Sequence, residues 1–223
     1  MSNSGLFKSS IGRKFAMALS AIFLMIFLLQ HLAINITAVF SEDVFNSLSH
    51  FMGTNPLVQF VAQPILIFAV VFHFMMGLYL ERKNKSARPI AYAKFNGNAN
   101  SSWVSRNMGI TGLVILAFLV LHIIDFFIPE MDYKYVQGNF GGGENRYYEH
   151  LLDKFSNIGR VIAYIVAFVL LSLHLMHGFG SAFQSIGQNN KYINRKMKFG
   201  IYFAVLVPLG FIFTAIALYI KTI

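Results

Sequence analysis

The sequence contains no cysteine among its 223 residues. This absence excludes disulfide bonds, a thiolate-held iron–sulfur cluster and covalent attachment of haem through a CxxCH motif. Charge is also scarce, at 12% of residues, whereas about a quarter of the residues of a soluble domain are charged. Hydrophobic residues make up 56% of the chain. A soluble globular domain is therefore excluded, and an integral membrane protein is predicted.

The apolar residues are gathered in five long blocks, and a helix that crosses a bilayer needs about 20 such residues. The blocks cover residues 15–40, 58–80, 108–128, 158–182 and 197–220. The first begins like a signal peptide, but its apolar stretch is too long and no small-residue cleavage site follows it. We therefore predict an all-α membrane protein, a single integral domain over residues 1–223 with five transmembrane helices.

Basic residues alternate between the two sides of this predicted bundle. They precede helix 1 and fill the 2–3 and 4–5 loops, whereas the 1–2 and 3–4 loops are rich in acids. The basic positions are Lys8, Arg13, Lys14, Arg82, Lys83, Lys85, Arg88, Lys94, Arg106, Lys191, Arg195, Lys196 and Lys198. By the positive-inside rule the N-terminus is cytoplasmic and the C-terminus is outside. The basic loops are explained by their role in orienting membrane insertion, and a docking face for soluble partners is the alternative explanation. Nucleic-acid binding has no support.

Histidines recur at matched depths inside the predicted helices. At about 1.5 Å per residue, His31 and His122 each lie roughly 6 Å to the outer side of the midpoints of helices 1 and 3. His73 and His174 lie roughly 6 Å to the inner side of the midpoints of helices 2 and 4. His177 lies one turn further inward and is the alternative to His174. An intramembrane histidine needs a partner, and a hydrogen bond across helices would serve for any one of them alone.

Two imidazoles at one depth on facing helices can ligate one iron, and two such layers suit two b-type haems, which need no cysteine. Gly77 and Gly178 follow the histidines of helices 2 and 4 by four positions. Small residues there would let a flat macrocycle lie against the backbone, as they let helices approach closely. The predicted ligands are His73 and His174 for the inner haem b, and His31 and His122 for the outer haem b.

The segments FHFMMGLY (72–79) and LHLMHGFG (173–180) are similar to each other. Helices 1–2 and 3–4 are therefore predicted to be parallel repeats, related by an axis along the membrane normal.

Five segments carry a resemblance to a known family: QHLAIN, FNSLSHFM, FHFMMGLYL, LVLH and LHLMHGFGSAFQSIG. The chain resembles the cytochrome b membrane subunit of succinate dehydrogenase or fumarate reductase, in the form with one five-helix chain and two haems. The last segment is the most specific, with glycines four and thirteen positions after its first histidine. The resemblance implies that His31, His73, His122 and His174 are the haem ligands, paired between helices 1 and 3 and between helices 2 and 4.

The resemblance also implies a role in a bacterial cytoplasmic membrane. A flavoprotein and an iron–sulfur protein would dock on the cytoplasmic face, and electrons would pass between them, the two haems and a quinone. Menaquinone near the outer haem is the expected quinone. The chain would provide haem ligation, the quinone site and the anchor, without being an enzyme on its own. A dimer of such complexes is left open.

One position departs from part of the family. Some fumarate-reducing relatives carry a glutamate two residues before the helix 4 ligand, which serves transmembrane proton transfer. Here that position is Ser172, which favours succinate oxidation. Two other functions stay open: the cytochrome b anchor of another quinone-linked dehydrogenase or reductase, and a haem-free transporter whose histidines form a proton relay.

Several polar residues near the outer side have more than one interpretation. Asp125 would orient His122, protonate a quinone or lie at the membrane interface, and the interface is favoured. Arg160 would reach a haem propionate or, by default, the headgroups. His50 and Asn46 lie in a segment predicted to be flat in the interface, where they would bind a quinone carbonyl or be solvated.

Overall fold

The computed structural model describes residues 9–86, 103–141, 143, 145–187 and 193–223, with side chains of the last segment described from residue 198. Within these residues the backbone is helical apart from turns and short connections, and it contains no strand. The α-helices are Ser10–Asn35, Thr37–Phe40, Glu42–Thr54, Gln63–Ser86, Trp103–Arg106, Met108–His122, Ile128–Met131, Arg146–Phe155, Ile158–Ser185 and Ile193–Thr222, and the π-helices are Val58–Ala62, Ile123–Phe127 and Asp132–Val136.

Five continuous helical stretches of the described chain are long and apolar enough to cross a membrane. We name them span 1 (Ser10–Phe40), span 2 (Val58–Ser86), span 3 (Met108–Val136), span 4 (Ile158–Ser185) and span 5 (Lys198–Thr222). The predicted all-α fold with five spanning helices is confirmed. The words inner and outer below denote the sides predicted to face the cytoplasm and the exterior.

Polar side chains mark where the spans begin. The Ser9 hydroxyl accepts a hydrogen bond from the backbone N–H of Gly12 at 2.9 Å, and span 1 starts there. The Asn157 side chain accepts one from the backbone N–H of Arg160 at 3.1 Å at the start of span 4. Such N-caps satisfy donors that the first helical turn leaves unpaired. Side-chain oxygens of Ser9 and Asn157 thus define where spans 1 and 4 begin.

Span 4 lies at the centre of the bundle, in contact with spans 1, 3 and 5. The rings of Phe168 on span 4 and Phe211 on span 5 are stacked with centroids 5.2 Å apart. Gly210 lets span 5 approach span 1 closely, because a Cβ added there would come within 2.8 Å of the Leu32 side chain. Apolar packing therefore holds span 4 on three sides.

Span 3 is longer than predicted. Its apolar run ends near residue 128, but the helix continues through a second π-helical segment to Val136. Lys134 is buried there; its ammonium group lies 2.7 Å from the Glu130 carboxylate and donates to the Gly53 carbonyl. Because these partners satisfy the charges, the helix continues past the end of its apolar run.

The helices Glu42–Thr54 and Arg146–Phe155, which we call the first and second outer helices, pack against each other. In the first outer helix Val44 and Leu48 are exposed and Phe45 is buried, and its position flat in the membrane interface stays a prediction. Asn46, predicted on or beside its polar face, is instead buried and accepts a hydrogen bond from the backbone N–H of Tyr148 at 2.8 Å.

Part of the predicted charge pattern lies outside the described residues. This applies to Lys8, Arg88, Lys94 and Lys191, and to the side chains of Arg195 and Lys196.

Candidate functional site

The inner pair of predicted ligands meets inside the bundle. The imidazole rings of His73 on span 2 and His174 on span 4 have centroids 6.5 Å apart, with an angle of 65° between their planes. His177, the alternative to His174, lies one turn further along span 4 and is partly buried. The structure therefore brings together the two histidines that were matched by depth.

Hydroxyl groups face the Nδ1 atoms of both inner histidines. Ser20 Oγ lies 3.1 Å from His73 Nδ1, and Thr111 Oγ1 lies 3.1 Å from His174 Nδ1. The Ser20 hydroxyl donates its proton to the Met17 carbonyl at 2.8 Å, and the Thr111 hydroxyl donates to the Met108 carbonyl at 3.0 Å.

A hydroxyl carries one proton, so an oxygen that has already donated to a carbonyl can only accept from the facing nitrogen. With this hydroxyl orientation, Nδ1 of each inner histidine would carry the proton and Nε2 would keep its lone pair. This is the tautomer that a metal-binding imidazole needs when its other nitrogen is hydrogen-bonded.

The outer pair also meets. The rings of His31 on span 1 and His122 on span 3 have centroids 5.7 Å apart and are nearly perpendicular, at 87°. Aromatic rings surround the pair, and Phe27, Phe211, Phe118 and Phe126 each have a centroid within 6.0 Å of one of the two imidazoles. The side chains around the outer imidazoles are thus largely apolar.

An ionic network lies beside His122. Tyr164 donates to Asp125 Oδ2 at 3.0 Å, and its oxygen is 3.4 Å from His122 Nδ1. Arg160 donates to both carboxylate oxygens of Asp125, with Nη2 at 2.7 Å from Oδ1. His150 Nε2 lies 2.8 Å from the Asp125 backbone carbonyl.

This network overturns two expectations. Asp125 is only 1% exposed, so it is not the solvated interfacial carboxylate that was expected but a buried member of an ion pair. Arg160 pairs with this carboxylate, where the default expectation was contact with headgroups. Burial of the carboxylate is possible because three donors, from Arg160 and Tyr164, satisfy its oxygens. The signal available in the sequence was the pair of opposite charges at the outer ends of two neighbouring spans.

The spacing of each pair is compatible with one metal between two imidazoles. Zinc sites place an imidazole nitrogen about 2 Å from the metal, so two imidazoles on opposite sides of one metal have ring centres about 6 Å apart. The measured separations are 5.7 Å and 6.5 Å. The separation of each pair therefore leaves room for one metal ion between two imidazoles.

The two predicted haem-facing glycines have matching surroundings. A Cβ added to Gly77 would lie 3.5 Å from Met17 Cε, and one added to Gly178 would lie 3.5 Å from Met108 Cε. These are ordinary contact distances with the ends of flexible side chains. Among the described residues, a methionine methyl group is thus the nearest neighbour of the Cβ added at either glycine.

These contacts display the internal repeat that the sequence predicted. His31 and His122 are 91 positions apart, as are Ser20 and Thr111, and as are Met17 and Met108. On the partner spans, His73 and His174 are 101 positions apart, as are Gly77 and Gly178. Spans 1 and 2 thus make the same set of contacts as spans 3 and 4.

His50 lies on the first outer helix, where its ring is 6.3 Å from that of Tyr147 on the second. Tyr147 belongs to a cluster with Glu130 and Arg146, in which Arg146 Nη2 donates to Glu130 at 2.8 Å and to the Tyr147 hydroxyl at 2.9 Å. Burial, together with the charge of Glu130, raises the pKa of Tyr147 to about 12. The cluster joins the outer helices to the end of span 3.

Comparison with known proteins gives one informative match. The chain is similar to the succinate dehydrogenase cytochrome b558 subunit of Bacillus subtilis (strain 168), with 28% identity over 99 residues. The matched region is 44% of this chain and spans about half the length of that relative, 46%. No family model and no solved structure matches the chain. This match confirms the resemblance seen in the residues, and with the five spans it identifies an integral, multi-pass membrane protein similar to succinate dehydrogenase cytochrome b subunits.

Proposed function

We propose that the chain is the di-haem cytochrome b anchor of a succinate:quinone oxidoreductase in a bacterial cytoplasmic membrane. It passes electrons between an iron–sulfur subunit and a membrane quinone. The observation that carries this proposal is the pair of imidazole layers, with ring centres 5.7 Å and 6.5 Å apart, formed by four histidines from four different spans. Haem b, when bound, supplies one-electron redox chemistry at each layer.

The chain's own residues hold and orient the ligands. Ser20 and Thr111 hold the proton of each inner imidazole on Nδ1, so that Nε2 keeps the lone pair that a metal ligand needs. Phe27, Phe118 and Phe211 lie around the outer imidazoles and give them largely apolar neighbours. Low polarity around a redox group is one of the protein's means of setting its potential.

The partners are assigned to the two faces by charge. Arg13, Lys14 and Lys83 line a small cavity where the predicted cytoplasmic ends of spans 1 and 2 meet. We assign this basic side to the iron–sulfur and flavoprotein subunits, and the outer layer to the quinone, with menaquinone as the expected quinone. The name of the Bacillus subtilis relative, a succinate dehydrogenase subunit, supports this assignment. Ser172 favours succinate oxidation as the physiological direction.

The experiment is to purify the tagged chain from its own membranes under conditions that keep subunits together. We expect a flavoprotein and an iron–sulfur protein to co-purify, and added succinate to produce the reduced absorbance bands of cytochrome b. The matched control is the His73→Ala variant, in which succinate should reduce less cytochrome because one layer is missing. A chromophore that dithionite reduces but succinate does not, in a preparation without a flavoprotein, would contradict the assignment to this complex.

A further inference from the structure

We infer that Ser20 and Thr111 are a matched pair of positioning residues that set the redox potential of the inner layer. This inference deepens the proposed function and rests on it. Each hydroxyl oxygen lies 3.1 Å from Nδ1 of one inner imidazole, and we assign the proton of this contact to Nδ1. Neither residue belongs to the predicted ligand set, and neither carries charge.

A backbone carbonyl of the preceding turn favours one direction for each of these hydrogen bonds. Each hydroxyl proton points to the carbonyl three residues earlier, Met17 for Ser20 and Met108 for Thr111. If a hydroxyl donated to Nδ1 instead, its proton would no longer point to the carbonyl. The imidazole proton would then be on Nε2. The helix backbone therefore keeps each hydroxyl oriented as an acceptor.

Both hydroxyl residues are buried, so their contacts with the imidazoles lie inside the bundle and not on its surface. Ser20 is 9% exposed and Thr111 is 2% exposed. A serine or threonine in an apolar helix can satisfy its own proton on the preceding turn, and Thr214 does so with the Gly210 carbonyl at 2.9 Å. Ser20 and Thr111 differ from Thr214 because their oxygen atoms also face a histidine nitrogen.

The repeat gives an independent argument. The two positions are 91 residues apart, the same offset that separates His31 from His122. The two halves carry different residues there, serine and threonine, which share the hydroxyl and differ by a methyl group. The hydroxyl is therefore the property that both halves of the repeat present to an inner imidazole.

The outer imidazoles have different neighbours. His122 Nδ1 is 3.4 Å from the Tyr164 hydroxyl, and His31 Nδ1 is 3.4 Å from the Asn35 amide nitrogen. Changes at Ser20 and Thr111 should consequently alter the inner layer and leave the outer layer as an internal reference.

The expected effect has a defined sign. A hydrogen bond from Nδ1–H makes the imidazole a more basic ligand. A more basic ligand stabilises the oxidised iron, so loss of the acceptor raises the midpoint potential. We expect up to about a tenfold change in the oxidised-to-reduced ratio at a fixed potential, which is about 59 mV for one electron.

The test is a potentiometric titration of the purified protein with its haems bound, monitored by absorbance. Ser20→Ala and Thr111→Val remove one hydroxyl each, while Ser20→Thr and Thr111→Ser keep it. The component missing from the His73→Ala variant identifies the inner layer. Thr214→Val is the matched control, because it removes a buried hydroxyl that bonds to a carbonyl in span 5.

We expect Ser20→Ala and Thr111→Val each to raise the inner potential alone, while the conservative variants and Thr214→Val leave both potentials at the wild-type values. Two haems with an unchanged inner potential in both hydroxyl-free variants would overturn the inference and leave the proposed function intact. Equal shifts of both layers, or shifts in the conservative variants as large as those in the hydroxyl-free ones, would also overturn it. A wild-type protein without haem would overturn the proposed function and this inference together.

Discussion

His73 and His174 lie with ring centroids 6.5 Å apart, although 101 positions separate them in the chain. Each has a hydroxyl at its Nδ1 atom and a glycine four positions later. This relationship joins span 2 to span 4 at one depth, and the outer pair joins span 1 to span 3 in the same way. The bundle is thus built around two layers of imidazoles.

Asp125→Asn should destabilise the protein strongly. The substitution leaves Arg160 without its partner beside a site that is almost fully buried, and the loss of one partner of a buried ion pair costs about 3–5 kcal/mol. Because the Arg160 side chain is 35% exposed, we expect a value near the lower end of that range. The measurements are the unfolding temperature and the denaturant midpoint of the protein solubilised in detergent.

Asp153→Asn is the matched control for Asp125→Asn. Asp153 pairs with Lys154 at 3.0 Å, but its side chain is 68% exposed. Exposed ion pairs contribute about 0–1 kcal/mol, so this variant should unfold close to the wild type. Equal losses of stability in the two variants would contradict the distinction between the buried and the exposed pair.

Tyr147 should ionise later than an ordinary tyrosine. Burial and the nearby Glu130 charge raise its pKa from 10.0 to about 12. Between these values the unfolded chain loses the proton first, so the stability linked to this tyrosine is present below pH 10.0 and is lost as the pH rises through about 12. The measurement is the tyrosinate absorbance difference between the wild type and Tyr147→Phe over this range; a midpoint near 10.0 would refute the prediction.

Gly53→Ala should loosen the junction between the first outer helix and span 3. An added Cβ would lie 2.7 Å from the Tyr147 hydroxyl oxygen and 3.2 Å from Glu130 Oε1. Overpacking of this kind costs about 1–3 kcal/mol. We expect faster limited proteolysis of the first outer helix and a lower unfolding temperature.

Gly141→Ala is the control for Gly53→Ala, because no atom of the described residues lies within 4 Å of a Cβ added at that position. It should leave both the unfolding temperature and the proteolysis rate unchanged. A Gly53→Ala protein with the same unfolding temperature and proteolysis rate as Gly141→Ala would contradict this prediction. It would mean that the cluster around Tyr147 shifts to accept the methyl group with no loss of stability.

Gly77→Ala and Gly178→Ala should lower the haem content without unfolding the helices. An added methyl group would meet only a methionine Cε at 3.5 Å, and alanine favours a helix over glycine by about 1 kcal/mol. The fold therefore tolerates alanine, while a macrocycle lying against the backbone would not. Haem per polypeptide and helical circular dichroism are the two measurements, and Gly141→Ala, which is far from the predicted ligands in sequence and meets no described atom within 4 Å, is the control that should keep both haems. Full haem content in both variants would contradict the role given to these glycines.

The spans, the depths of the histidines and the repeat could be predicted from the sequence, because helix rise converts position into depth. His73 and His174 are placed at one level by this arithmetic alone. The prediction does not give the direction in which a side chain faces, so the pairing of Asp125 with Arg160 was missed. The π-helical segment Ile123–Phe127, which contains Asp125, also departs from the α-helical spacing that the prediction assumed.

Ser20 and Thr111 were missed for a different reason. Isolated hydroxyl residues in apolar helices are common and carry no signal by themselves. The 91-position offset shared with His31 and His122 was the available signal. It becomes informative only when the two halves are aligned on their histidines.

The most direct measurement is the haem b content per polypeptide, from the reduced absorbance spectrum of the wild type and of single His→Ala variants. We predict two haems in the wild type, loss of one in His31→Ala and His122→Ala, and loss of the other in His73→Ala and His174→Ala. His177→Ala should keep both. A colourless wild-type protein from cells able to supply haem, or His174→Ala with both haems and His177→Ala with one, would contradict the two layers described here.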